Sequence, residues 1–292
     1  MITSKNPYTG EIIEEFKEYT QEEIEQAIAT ANDRFKSWRK VSFSEKSKLL
    51  KNAAKDLREN KQSYAEDITK EMGKPISQSL AEIEKCAWVC EYYAENAEDH
   101  LKNEIIETDA QKSYVSYEPL GIVLAIMPWN YPFWQVFRFA APALMAGNIG
   151  LLKHASNVMR SAENIQKVFK NAGFPEGCFQ NLVISSSKIE AILKDKRIKA
   201  VTLTGSKPAG SAVAATAGSE IKKSVLELGG SNALVVFKDA NIAETVKTCV
   251  QARFQNTGQS CIAGKRLLLH ESIEEEFMEE FLKQARELKS GD

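Results

Sequence analysis

An α/β fold built on a largely parallel sheet is predicted by three features of the chain. From Gly121 onward, short apolar runs alternate with stretches of helical character. That alternation is the signature of strand–helix–strand units, in which each helix returns the chain to lay the next strand beside the last. Helical periodicity also dominates the first hundred residues, and no internal repeat, low-complexity tract or long linker breaks the chain.

The elements follow in order. After a short lead, Thr20-Gln21-Glu22-Glu23 has the form of a capping box and opens a helix expected to reach Trp38. A second helical stretch runs from about Ser44 to Gly73-Lys74-Pro75, where glycine and proline punctuate. A third places Leu80, Ile83, Ala87, Cys90, Ala94 and Ala97 on one stripe, so Cys86 and Cys90 are expected to be packing residues. Residues 112–118 alternate as a half-exposed strand does. Strands are then expected at 122–127, 149–153, 179–184, 200–204, 224–228, 233–237 and 266–269. Helices should begin near Pro132, Asn157, Ser187, Lys207, Asn241 and Ser272.

Composition narrows the function classes. The 292 residues suffice for one large or two medium domains, and 43% hydrophobic with 27% charged residues is ordinary for a soluble globular protein. A formal charge of −2 carries no signature of nucleic acid or an anionic membrane as partner. The polar start shows no secretory signal, and the longest apolar run, Gly121 to Trp129, is too short to span a bilayer. A cytoplasmic protein is expected. Five scattered cysteines argue for reduced thiols, and although Cys86 and Cys90 lie one helical turn apart, no second pair or nearby histidine completes a metal site.

Several residues could carry chemistry. Cys261 lies in Asn256-Thr257-Gly258-Gln259-Ser260-Cys261, among small polar residues whose backbone N–H groups can favour a thiolate; a small buried hydrophobe is the competing reading. Thr204-Gly205-Ser206 stands between a strand and a helix, where glycine lets the backbone approach a phosphate and the helix offers unpaired donors. Neither a G-x-G-x-x-G pattern nor a Walker loop occurs. Lys153 and Ser156 end another strand, in reach of a ribose or phosphate, or else form a solvated edge. Glu227, inside Val225-Leu226-Glu227-Leu228, is either a desolvated general base or a carboxylate facing water. Asn130, in Pro128-Trp129-Asn130-Tyr131-Pro132, suits a turn or an oxyanion donor. Arg138, in a mostly apolar helix, needs an anion or solvent.

Five motifs occur together and in order: Pro-Trp-Asn-Tyr-Pro, Lys-x-x-Ser, Thr-Gly-Ser with Gly210 beyond, Leu-Glu-Leu-Gly-Gly, and Asn-Thr-Gly-Gln-Ser-Cys. In this the chain resembles the aldehyde dehydrogenase superfamily over essentially its whole length, and within it the succinate-semialdehyde dehydrogenase branch. The resemblance implies a Rossmann-type parallel-sheet dinucleotide-binding domain at 1–100 and 120–229. It implies a bridging, oligomerisation hairpin at 101–119 and the first part of an α/β catalytic domain at 230–292. Cys261 would be the nucleophile, Asn130 an oxyanion donor, and Glu227 the base that activates water. Trp129, Gly205 and Ser206 match positions around the cofactor pyrophosphate, and Lys153 and Ser156 match positions at the adenosine ribose. Arg138 matches the arginine that holds the far carboxylate of succinate semialdehyde.

The resemblance further implies NADP or NAD as cofactor, a small aldehyde as partner, and a homo-oligomer for the full-length form. Where Ser156 stands, NAD-preferring relatives often carry glutamate, so acceptance of NADP is expected. Ala263 replaces the neighbouring cysteine that some relatives use as a redox switch. Members of the family are longer, and the later Glu-x-Phe-Gly-Pro region has no counterpart here, so the catalytic domain is expected to be incomplete. Two alternatives follow: an inactive fragment retaining at most dinucleotide binding, and a cysteine hydrolase, for which no histidine lies in a suitable setting.

Overall fold

The computed structural model describes residues 1–291, which divide into two compact units, Met1–Glu227 and the residues from Leu228 onward. The first unit opens with an antiparallel hairpin of β1 (Ile2–Lys5) and β2 (Ile12–Phe16). The sequence shows only a lead here, because strands this short carry too few residues to show a period. Helix α1 (Gln21–Trp38) follows, with Thr20 and Glu23 forming the expected capping box.

One expected helix is two. Helices α2 (Phe43–Glu59) and α3 (Lys61–Met72) meet at Asn60, whose φ of −104° and ψ of 14° break the helical ladder. The apolar stripe continues through the break, so periodicity alone conceals it. Gly73 then closes α3 with φ +79°, a left-handed conformation that favours glycine, and Pro75 precedes α4 (Ile76–His100). Cys86 and Cys90 lie fully buried on α4, as the stripe requires.

The expected strand at 112–118 shrinks to β4 (Tyr114–Val115), paired antiparallel with β3 (Glu104–Ile105). All four residues are exposed, so no buried face extends the pairing.

A five-stranded sheet organises the rest of this unit. It comprises β5 (Ile122–Met127), β6 (Ile149–His154), β7 (Phe179–Asn181), β8 (Ile198–Gly205) and β9 (Lys223–Leu228), in the order β7-β6-β5-β8-β9. The intervening helices are α5 (Pro132–Met145), α6 (Met159–Asn171), α7 (Ile189–Lys194) and α8 (Lys207–Ser219). Strand β5 runs parallel to both β6 and β8, with Met127 opposite His154 and Ile126 opposite Lys153 and Leu203. All six residues of β5 are buried, as a central parallel strand demands. The chain steps outward from β5 to β7 and returns to add β8 on the other side. That reversal makes the carboxyl ends of β5 and β8 a switch point, where such sheets bind ligands.

Helices α5 and α6 pack between the sheet and the layer of α2, α3 and α4. An aromatic chain runs through this core: Phe137 stacks on Phe169 at 5.2 Å, and Phe169 meets Phe174 and Phe179 at 5.2 and 4.5 Å. Glu71 on α3 is almost fully buried. Its carboxylate accepts from the N–H groups of Arg160 and Ser161 and from the hydroxyls of Ser4 and Ser161, each at 2.8 Å. A carboxylate from another helix thus satisfies the open donors at the start of α6.

The second unit has β10 (Asn232–Val236) parallel to β11 (Gly264–Leu269), with α9 (Ile242–Phe254) and α10 (Glu274–Arg286). Its core gathers Val236, Val246, Cys249, Val250, Ile273 and Phe277. Gly264 is obligatory, since a Cβ there would overlap the Leu234 side chain. Among the described residues, no helix is long and apolar enough to cross a membrane.

Candidate active site

The carboxyl ends of β5, β6 and β8 carry most of the residues singled out in the sequence. Trp129 and Asn130 follow β5, Lys153 is the penultimate residue of β6 with Ser156 just beyond, and Gly205 ends β8 with Ser206 next. Parallel pairing therefore brings three separate stretches of sequence to one edge.

Lys153 is half-buried, and that burial pushes its ammonium pKa down. Among the described residues it makes no ion pair, and its partial burial sets it apart from a fully solvated strand-end lysine. Ser156 is exposed and opens a single 3-10 turn, Ser156–Val158. Ser206 caps α8, its hydroxyl accepting from the Ala209 N–H at 3.4 Å. Gly205 is informative for what does not explain it. Its φ is not left-handed, and an added Cβ would meet Leu203 Cδ2 at an ordinary 3.6 Å. Nothing within the protein demands glycine there, whereas a ligand seated against the backbone would. A desolvated cation, an open glycine and a helix N-terminus at one edge fit the phosphates and ribose of a dinucleotide.

Asn130 is half-buried in the turn before α5, and its Oδ1 accepts from the Tyr131 N–H at 3.1 Å. That bond turns the amide so that its donor end, Nδ2, points elsewhere. Pro132 occupies the first helical position of α5, and Tyr131 gives no side-chain cap. The cap comes from Glu82 of α4, whose Oε1 accepts from Phe133 and Trp134 N–H, each at 2.9 Å. Sequence reading missed this residue. A signal was present, since Glu82 lies among Ser79, Ile83 and Cys86 on the buried stripe of α4.

Arg138 and Glu227 line one cavity of about 550 Å³, together with Met127, Gln135, Thr204 and Val225. The half-buried Arg138 donates to Thr204 Oγ1 at 3.4 Å and makes no ion pair among the described residues. It is a cation held beside an apolar wall. Glu227 is exposed, near the end of the sheet-edge strand β9, which matches a carboxylate facing water rather than a desolvated one. An edge strand has one flank unpaired, and water reaches side chains that a central strand would bury.

Cys261 belongs to the second unit and is half-exposed, while the other four cysteines are buried. It follows a strained turn. Asn256 and Thr257 have φ of 58° and 53°, and Gly258 has 71°. Left-handed geometry at a β-branched threonine is costly and must be held from outside. Arg253 does so in part, donating from Nη1 to the Gly258 carbonyl at 3.1 Å. The small residues around Cys261 were legible in the sequence, but the strain was not.

The Aldehyde dehydrogenase family profile matches residues 1–292, and the chain belongs to that family. A probable succinate-semialdehyde dehydrogenase (NADP+) from Synechocystis sp. is 48% identical over 291 residues, covering all of this chain and 64% of the relative. The succinate-semialdehyde dehydrogenase (NADP+) of Mycobacterium avium is 48% identical over 295 residues, covering 62% of its own length. The chain thus spans less than two thirds of these relatives. Among solved structures, the succinic semialdehyde dehydrogenase of Streptococcus pyogenes, in complex with NADP+, superposes with a TM-score of 0.97 at 34% identity. That match covers 100% of this chain and 64% of the other.

Proposed function

We propose that this chain carries the nucleotide-binding unit and the nucleophile of an NADP-dependent succinate-semialdehyde dehydrogenase. The observation that carries the reading is Lys153: a half-buried ammonium with no ion pair among the described residues, at the same sheet edge as a glycine the protein does not require. The full-length NADP+ enzymes among its relatives support the substrate and the cofactor.

Each residue then has a task. Lys153 and Ser156 hold the ribose, and serine leaves room for a 2′-phosphate that a carboxylate would repel. Gly205, Ser206 and Trp129 border the pyrophosphate. NADP+, when bound, supplies the acceptor for the hydride given up by the aldehyde carbon. Cys261 Sγ adds to the aldehyde carbonyl and forms a thiohemiacetal. Asn130 Nδ2 donates to the resulting oxyanion, where losing one such donor costs about 3 kcal/mol of barrier. Arg138 anchors the distant carboxylate of the substrate. Once the hydride has left, a thioester remains on Cys261, and Glu227 takes a proton from the water that releases succinate. Its exposure suits this, since water can reach the carboxylate.

The test is NADPH formation by the purified chain with succinate semialdehyde, in wild type and Cys261→Ala. Activity that needs Cys261 is the expected result. NADP+ binding without turnover would instead favour the fragment reading, and aldehyde-independent ester hydrolysis would favour a hydrolase. Residues 1–100 and 120–229 serve in this reading as the nucleotide-binding domain, 101–119 as the bridging hairpin, and 230–292 as the first part of the catalytic domain.

A further inference from the structure

The segment Gly73-Lys74-Pro75 has so far served as punctuation between helices, yet Lys74 is among the most buried residues of the first unit. Its side chain is 0% exposed, and its partner Glu82 is 2% exposed. Charged groups are seldom buried this completely unless they are paired. Lys74 Nζ pairs with Glu82 Oε2, while Glu82 Oε1 accepts from the Phe133 and Trp134 N–H groups at 2.9 Å. Lys74 Nζ also lies 4.5 Å from the centroid of the Tyr131 ring. One ion pair therefore grips both the residue before α5 and the first open donors within it. The left-handed Gly73 reverses the chain and turns Lys74 inward.

We propose that Lys74 and Glu82 are positioning residues for the reaction, holding the Trp129-Asn130-Tyr131 turn so that the Asn130 amide keeps its aim. The inference rests on the reading of Asn130 as the oxyanion donor. Neither residue touches substrate. They act through the start of α5, from which Asn130 is separated by Tyr131 alone. A general helix cap would need the carboxylate alone. The lysine against Tyr131 adds a second grip, on the loop side of the helix start.

Two measurements on the full chain decide it, using Glu82→Leu, Glu82→Gln and Lys74→Met. Hydrogen exchange followed by mass spectrometry reads the hold directly. In Glu82→Leu, peptides covering 128–135 should exchange at least about tenfold faster, with residues 198–205 unchanged. Glu82→Gln keeps an oxygen for Phe133 and Trp134 and should loosen the turn less, which keeps the test decisive if the leucine variant fails to fold. Unchanged exchange at 128–135 in Glu82→Gln and Lys74→Met, or equal loosening everywhere, overturns the proposal.

Kinetics read the consequence. For Glu82→Gln, kcat with succinate semialdehyde should fall about tenfold to a hundredfold, with KM for NADP+ unchanged. Combined with Asn130→Ala, it should add little further loss; full additivity or an unaltered kcat also overturns it. A wild-type chain that turns over no aldehyde would refute the proposed activity of this chain, while the exchange result would still decide whether the pair holds the turn.

Discussion

His154 Nε2 lies 2.9 Å from the carbonyl oxygen of Pro132, tying the last residue of β6 to the first of α5. Its Nδ1 accepts from the Ala155 N–H, also at 2.9 Å, so the proton resides on Nε2 and the ring is neutral. Complete burial lowers its pKa from 6.5 to about 4, against the smaller opposing effect of its bond to Pro132. The folded pKa lies below the unfolded one, so this stabilisation is complete above pH 6.5 and is lost as pH falls toward 4. The span corresponds to about 3 kcal/mol. The melting temperature should drop on acidification from pH 7 to pH 5, with a shallower slope in His154→Gln. Identical slopes would show that other groups control acid stability.

Thiol labelling should separate Cys261 from its four buried counterparts. Burial pushes the Cys178 thiol up to about 12 and also raises those of Cys86, Cys90 and Cys249. Iodoacetamide reacts with accessible thiolates, so the native chain should take one label, at Cys261, before any other. Peptide mapping after a short exposure checks this. Equal labelling of Cys178 or Cys249 would contradict the order.

Arg138 has an apolar cavity beside it and a weak hydrogen bond to Thr204. Replacing it with leucine should raise KM for succinate semialdehyde about a hundredfold, the loss of a charge-assisted contact of roughly 2–3 kcal/mol. Butanal, which has no carboxylate, should be nearly unaffected. Parallel losses for the two aldehydes would remove Arg138 from the substrate site.

Ser156 is exposed at the end of β6, near a lysine whose charge is poorly hydrated. Ser156→Glu would place a carboxylate where a 2′-phosphate is expected, and like charges at close range repel. Titrations should show NADP+ affinity falling at least about tenfold while NAD+ affinity holds or improves. Unchanged discrimination would mean that Ser156 does not face the ribose.

Some of this was legible because local chemistry leaves a local trace. The capping box at Thr20, the apolar run of β5 and the proline at the start of α5 each depend on neighbours in sequence. The candidate site was legible as ordered motifs for the same reason. Asn60 broke a helix unseen, because the stripe on either side stays in phase. The roles of Glu71 and Glu82 are not legible locally, since the donors they satisfy come from residues far along the chain.

The sequence by itself determined the α/β alternation, the family, and which side chains are available for chemistry. Periodicity, turn residues and motif order are properties of nearby positions. Tertiary structure alone decided that Lys153, Ser156, Gly205 and Asn130 share the carboxyl edge of one sheet, that Arg138 and Glu227 line one cavity, and that Glu227 remains in water. Those outcomes depend on strand order and on which flank of an edge strand is left unpaired. Lys74 shows the difference most plainly: the sequence displays a lysine between glycine and proline, and packing makes it the buried partner of Glu82.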